Sequence, residues 1–203
     1  MISIILAAGK SLRMGEKDKA LLKIKDKTFI EEISLKLRKV SDKLIIVAGK
    51  QNIKKITSLN IENAIILLNP KYFSKQLNSL KVAVRYLQSK NIKTPIMINL
   101  VDQPLIKLST YKKIINFYKK NKNSIIIPKV KIQEGKDNFY FKRGHPIIIP
   151  AKYLSLIINA PYKKGLHWVT HHPKVKVMDL VVSDKNILKD IDTRQDYIKY
   201  IKG

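Results

Sequence analysis

The sequence predicts a doubly wound, mostly parallel α/β sheet in three layers, helix on sheet on helix, with a mixed-strand second half. Three observations predict it. Four short runs rich in Ile and Leu, residues 2–6, 44–47, 64–68 and 96–100, are bounded by turn residues, as strands buried on both faces are. Amphipathic helical patterns separate them, which implies parallel strands joined by right-handed crossovers. After Ser124 the rhythm shifts to short strands joined by polar turns.

In chain order, the run at 2–6 is the first strand. It enters a Gly/Ser/Arg loop and lacks a basic leader, so it reads as a buried strand and not as a signal peptide. Thr28 followed by Glu31 is a capping-box start for a helix running to about Val40. Residues 77–87 and 109–120 read as two further helices. Residues 125–128, 139–142 and 146–149 read as strands, 151–159 and 165–171 as short helices, and 175–182 as a strand. Thr193 with Asp196 starts a last helix. We expect one domain over 1–203, with a nucleotide-binding half over about 1–122 and an acceptor-binding half over about 123–203.

Composition narrows the class. The 203 residues include no cysteine, so neither disulfides nor a thiolate zinc site are available, which fits a cytoplasmic protein. No apolar run reaches the roughly 18 residues of a membrane helix. The formal charge is +26, a field that attracts polyanions and raises nucleic-acid binding as an alternative. Lysine supplies most of it, spread along the chain, and only Arg13, Arg38, Arg85, Arg143 and Arg194 are arginine. We read a diffuse, solvated lysine surface. Neither an aromatic stacking platform nor an RNA-recognition motif is evident in the sequence.

In open α/β sheets ligands bind beyond the carboxyl ends of the strands, so the loops after Leu6, Leu68 and Leu100 are the places to search. The first reads Ala7-Ala8-Gly9-Lys10-Ser11-Leu12-Arg13-Met14-Gly15. Small residues let backbone N–H groups approach a phosphate. Arg13 can fork onto its oxygens, and Lys19 adds a point charge. The dinucleotide fingerprint fails, because the glycines are six apart. A Walker A loop fails, because position 4 is Ile4 where glycine is required. The second loop begins at Asn69-Pro70, followed by Gln76 and Ser79-Leu80, where Asn78 or Ser79 can equally cap a helix. The third, Val101-Asp102-Gln103-Pro104, sets a carboxylate at a strand end, well placed for Mg²⁺. His167 and His171 have i, i+4 metal spacing, but no zincin motif surrounds them; they read as helix-surface residues.

The run L-A-A-G-x-S-x-R-M-G over 6–15, with Asp18-Lys19-Ala20-Leu21-Leu22 after it, resembles the MobA-like NTP transferases. The nearest branch is the molybdenum-cofactor cytidylyltransferases, and sugar- and isoprenoid-phosphate nucleotidyltransferases are close to it. The resemblance implies a Rossmann-like sheet of the nucleotide-diphospho-sugar transferase type and a Mg²⁺-dependent transfer of a nucleoside monophosphate. It implies that Leu6, Ala7, Ala8, Gly9, Ser11, Arg13, Lys19, Asn69, Gln76, Ser79, Val101 and Asp102 bind nucleotide, with Arg13, Lys19 and Asp102 catalytic and Asp102 a metal ligand. Lys142-Arg143-Gly144-His145-Pro146 resembles the family's acceptor-bordering segment, so Arg143 and His145 would hold an acceptor phosphate. The run 190–197 resembles the family's D-I-D-T-P-E-D-Y, with Arg194 in place of proline. Asp192 is then either a second magnesium ligand facing Asp102 or, with Thr193, a helix cap. Ser74-Lys75 stands where the family carries glycine. Leu6-Ala7-Ala8-Gly9 with Asp102-Gln103-Pro104 resembles the CTP-using branch. The implied partners are CTP, a phosphorylated small-molecule acceptor of the molybdopterin type, and a molybdoenzyme or its chaperone. A sugar-1-phosphate transferase using GTP or UTP, or a relative that binds nucleotide without turnover, are the alternatives.

Overall fold

The computed structural model describes residues 1–9, 18–70, 76–135 and 138–202. Its centre is an eight-stranded mixed sheet. In chain order the strands and helices are β1 (Ile2–Ala7), a small hairpin β2 (Lys23–Ile24) and β3 (Lys27–Thr28), α1 (Phe29–Arg38), β4 (Lys43–Gly49), α2 (Ile53–Ser58), β5 (Ala64–Asn69), α3 (Gln76–Ser89), β6 (Ile96–Leu100) and α4 (Leu108–Lys120). The second half adds β7 (Ile125–Glu134), β8 (Asn138–Arg143), β9 (Ile147–Ile149), α5 (Leu154–Asn159), α6 (His167–Thr170), β10 (Val177–Val181) and α7 (Arg194–Tyr197).

The sheet order is β10-β7-β9-β6-β1-β4-β5, with β8 on β7. The strands β6, β1, β4 and β5 run parallel, while β9 is antiparallel to both β6 and β7. Every residue of β1 is buried, because helices cover both faces. One face carries Ile4, Leu6, Ile98 and Leu100 under Leu77, Leu80 and Val84 of α3. The other carries Ile5, Ile46 and Met97 under Ile30 and Ile33 of α1 and Ile114 of α4. This is the doubly wound arrangement expected. Among the described residues no helix is long and apolar enough to cross a membrane.

The capping box at α1 forms: Thr28 N donates to Glu31 Oε2 at 2.7 Å, and Glu31 N to Thr28 Oγ1 at 3.4 Å. The hydrogen bond from the Thr28 hydroxyl holds the Glu31 carboxyl below its usual range. Its contribution is therefore present above the ordinary carboxylate pKa and is lost as pH falls through the lowered one. Thr28→Ala should cost about 1 kcal/mol of stability, read as a lower urea midpoint; an unchanged midpoint would show that the cap contributes nothing.

Several boundaries differ from expectation. The strand expected at 125–128 runs to Glu134: Pro128 lacks an N–H, but its carbonyl accepts from Gly144 N at 2.9 Å, and 129–134 pair with β8. The helix expected at 151–159 opens with a 3-10 turn, Ala151–Tyr153. The one expected at 165–171 is confined to α6, and β10 begins at Val177 rather than Val175. The hairpin β2–β3 and the helix α2 were not anticipated. Asn78 and Ser79 lie within α3, not ahead of it.

Candidate active site

A cleft opens at the carboxyl ends of β1 and β6. Leu6, Ala7, Ala8, Gly9, Asp18, Lys19, Gln76, Ser79, Leu100, Val101 and Asp102 line it. Topology explains the gathering: β1 and β6 are parallel neighbours, and α3 crosses the same face. Ser11 and Arg13 lie outside the described residues, as do Lys10, Ser74 and Lys75. Among the described residues a Cβ built at Gly9 meets nothing within 4 Å.

The polar shell behind the cleft is tightly specified. Asn52 is buried; its amide nitrogen donates to Ala7 O at 2.8 Å and to Asp18 Oδ2 at 2.9 Å, and its Oδ1 accepts from Gly49 N at 2.9 Å. It joins the ends of β1 and β4 to the segment that carries Lys19. Asp18 Oδ1 accepts from Ala20 N at 2.9 Å, capping the 3-10 turn Lys19–Leu21; burial raises its carboxyl above the usual range. Asn69 is not on the cleft wall. It donates to Ser79 Oγ at 2.9 Å, so it acts on the cleft through Ser79.

Lys19 lies between two carboxylates, its Nζ bonded to Asp192 and 3.7 Å from Asp102 Oδ2. The backbone holds this in place, since Ile191 N donates to Asp102 O at 2.8 Å. Thr193, not Asp192, caps α7, in a capping box with Asp196; the Asp192 side chain faces Lys19. Burial pushes the Asp102 carboxyl up to about 6; Lys19 opposes the shift, and Asp190 and Asp192 add to it. Among the described residues Asp102 Oδ1 is buried without a hydrogen-bond partner.

Gln103 is buried and stays off the cleft wall. Its Nε2 donates to Asp190 Oδ1 at 2.7 Å and to Ile187 O at 3.2 Å. It stitches the Asp102 turn to the C-terminal segment. The sequence signals single out neither this stitch nor Asn52 and Asp18 as parts of the site, because each acts through contacts distant in the chain.

The two expected acceptor residues behave differently from a cationic phosphate clamp. Burial pushes His145 down to about 4, so it is neutral at neutral pH and offers no charge. Its backbone N donates to Ile187 O at 3.3 Å, and the peptide to Pro146 is cis. Arg143 is exposed, but its Nε is 2.8 Å from Asp179 Oδ1, and Lys129 Nζ is 3.3 Å from Asp179 Oδ2. His167 and His171 sit at the surface, where His171 Nδ1 meets His167 O at 2.9 Å.

Comparison with known proteins gives a consistent frame. A family model described as MobA-like NTP transferase domain matches residues 3–175. A curated relative, Nicotine blue oxidoreductase of Paenarthrobacter nicotinovorans, is 25% identical over 198 residues, covering 94% of this chain and 91% of that protein. Among solved structures, Rv0371c of Mycobacterium tuberculosis H37Rv superposes with a TM-score of 0.77 at 22% identity, over 100% of this chain and 98% of the other. The same protein has been solved in complex with manganese, at TM-score 0.72, 21% identity and coverage of 100% and 98%. A nucleotidyl transferase from Methanothermobacter thermautotroptrophicus gives 0.76 at 20% identity, over 100% and 96%. At these identities the structures speak for the fold.

Proposed function

The chain belongs to the MobA-like NTP transferase family, and from that premise we propose that it transfers CMP from CTP to a phosphorylated acceptor of the molybdopterin type, releasing pyrophosphate. The observation that carries the reading is the cleft at the ends of β1 and β6, where Lys19 stands between Asp102 and Asp192.

The acceptor's phosphate oxygen attacks the α-phosphorus in line. The new P–O bond forms as the bond to the pyrophosphate oxygen breaks. A phosphate monoester is already anionic near neutral pH, so no protein base has to take a proton. The obstacles are repulsion between two anions and charge building on the leaving group; positioning and electrostatic stabilisation dominate such transfers. The N–H groups following β1 approach the triphosphate, and Lys19 supplies a cation beside it. Ser79, held by Asn69, and Gln76 border the nucleotide from α3.

The donor set fits Mg²⁺. Asp102 presents a buried Oδ1 with no hydrogen-bond partner among the described residues, and Asp192 faces Asp102 across Lys19. One or two carboxylates completed by phosphate oxygens and water are how Mg²⁺ is usually held. Bound there, the ion would neutralise the triphosphate's charge. The manganese complex of Rv0371c supports a divalent cation at this fold. The preference for CTP rests on the resemblance of Leu6-Ala7-Ala8-Gly9 to the CTP-using branch; Gln103 lends it no contact, because its side chain faces Asp190.

The test is to incubate the chain with Mg²⁺, each NTP in turn, and either molybdopterin or a sugar-1-phosphate, and to measure pyrophosphate. CTP-dependent release with molybdopterin is expected. Release with a sugar phosphate alone would move the acceptor class. The relative named as an oxidoreductase favours a second reading, so parallel mixtures holding a reduced nicotinamide cofactor and a redox dye as its electron acceptor are followed for cofactor oxidation; oxidation without pyrophosphate release in the first set would overturn nucleotidyl transfer.

A further inference from the structure

The hairpin of β7 and β8 carries three consecutive exposed aromatic residues, Phe139, Tyr140 and Phe141, exposed by 50%, 47% and 43%. No aromatic platform is evident along the chain, and the fold creates one. Residues two apart on a strand share a face. Phe139 and Phe141 therefore lie together, ring centroids 5.8 Å apart in an edge-to-face arrangement. Across the ladder they pair with Gln133 and Lys131. Lys131 Nζ sits 3.6 Å from the Phe139 ring centroid, and Lys129 Nζ 4.7 Å from that of Phe141. Arg143 follows on the same face, paired with Lys129.

The register puts this face beside the cleft. The strand β9 lies between β6 and β7, pairing Ile147 with Ile98 and Ile148 with Ile126. The strand β8 also pairs with β7, just past β9. It thus stands in the strand position next to β6, about 5 Å to the side, and rises past the carboxyl end where Asp102 sits. The ring pair shares the sheet face of Ile125 and Ile127, which is the face of Leu6, Leu100 and α3 that forms the cleft wall.

We infer that Phe139, Phe141 and Lys131 form the ring-binding subsite of the acceptor: a planar heteroaromatic ring stacks on the face of one phenylalanine against the edge of the other, while its anionic group meets Lys131. The inference rests on the nucleotidyltransferase reading and adds to it the residues that hold the acceptor's ring. Charge selects this occupant. Among the described residues, three cations on the face, Lys129, Lys131 and Arg143, oppose the carboxylate of Asp179, which suits one small anionic ligand. A second copy docked by a two-fold axis would set the same cations against each other. A nucleic-acid strand would meet Asp179 in its path and only two rings on the face.

Flavin mononucleotide serves as a ring-bearing phosphate probe, followed by fluorescence anisotropy, with ribose 5-phosphate as the ringless competitor. Wild type is expected to bind the flavin. The double variant Phe139→Ala/Phe141→Ala should bind it at least about tenfold more weakly, with ribose 5-phosphate binding unchanged and Phe→Tyr at both positions restoring the flavin. Both side chains are exposed, and an unchanged thermal transition of the variant excludes misfolding. CTP binding, measured calorimetrically in both proteins, keeps the two readings apart: its absence from wild type sinks the nucleotidyltransferase reading, while flavin binding alone decides the platform. No flavin binding by wild type, or equal binding by the double variant, overturns the subsite. So does a dimer in sedimentation that the double variant dissolves, which gives the face to a second copy. Loss of oligouridylate binding with flavin binding retained likewise overturns it, in favour of nucleic acid.

Discussion

Asp102→Asn should abolish pyrophosphate release and at the same time make the fold harder to unfold at neutral pH. The loss of turnover is expected to exceed about 1000-fold, roughly 4 kcal/mol of transition-state stabilisation, because the substitution removes the charge that would hold the cation and orient Lys19. The gain in stability has a separate origin. The Asp102 carboxyl is pushed up from 3.8 to about 6, first by burial and then by Asp190 and Asp192. Between those values the folded chain keeps a proton that the unfolded chain has released, so above pH 6 the ionised group opposes folding in full. Two units correspond to about 3 kcal/mol at most. That shift is already net of the Lys19 attraction; discounted for relaxation of the surroundings in the ionised state, it leaves a gain of about 1–2 kcal/mol at pH 7. The gain should shrink as pH falls through 6 and vanish near pH 4. Urea denaturation of both proteins across this range checks the stability half, and turnover within tenfold of wild type would remove Asp102 from the chemistry.

Gly144→Ala should be the most damaging single methyl group in the second half. A Cβ there would lie 2.2 Å from Ile187 O and 2.9 Å from Ile187 C, both backbone atoms that cannot rotate away. The crowding is functional in its consequence, because Ile187 O is also the acceptor for His145 N and Gln103 Nε2. Pushing the 185–188 turn aside loosens the stitch from Gln103 to Asp190, and with it the placement of Asp192. A loss of about 3 kcal/mol or more is expected, together with activity reduced well beyond the fraction unfolded. An Ala variant with a wild-type urea midpoint would show that the turn yields without cost.

Legibility in the sequence followed the strength of each physical signal. The strands β1, β4, β5 and β6 were readable to within a residue or two, since each is an unbroken apolar run between helices. The capping boxes at Thr28 and Thr193 were readable because they are local. The two-residue strands β2 and β3 carry no periodicity, and the far half of β7 turns only Val130 and Ile132 to the core, so their alternation with Lys131 and Gln133 gave no unbroken apolar run. At the site, Lys19, Asp102 and Asp192 stood out through the motif. Asn52 did not, and Gln103 and Asp190 were legible as motif residues but not as the stitch they form, because these hydrogen bonds join residues 34 to 87 positions apart. His145 was legible as a residue near the acceptor segment but not as a neutral one, since burial is a property of the fold.

The Lys19–Asp192 contact spans 173 positions, and that separation orders events during synthesis. At about 5–20 residues per second, Lys19 and Asp102 leave the ribosome well before Asp192, by about 9–35 s for Lys19 and 5–18 s for Asp102. Throughout that interval the nascent chain can build β1, β4, β5 and β6 while its cation has one carboxylate to answer and not two. Completion of the centre thus waits until Asp192 has been made, and a chain that has not reached that residue holds the scaffold of the cleft before it holds the full set of charges.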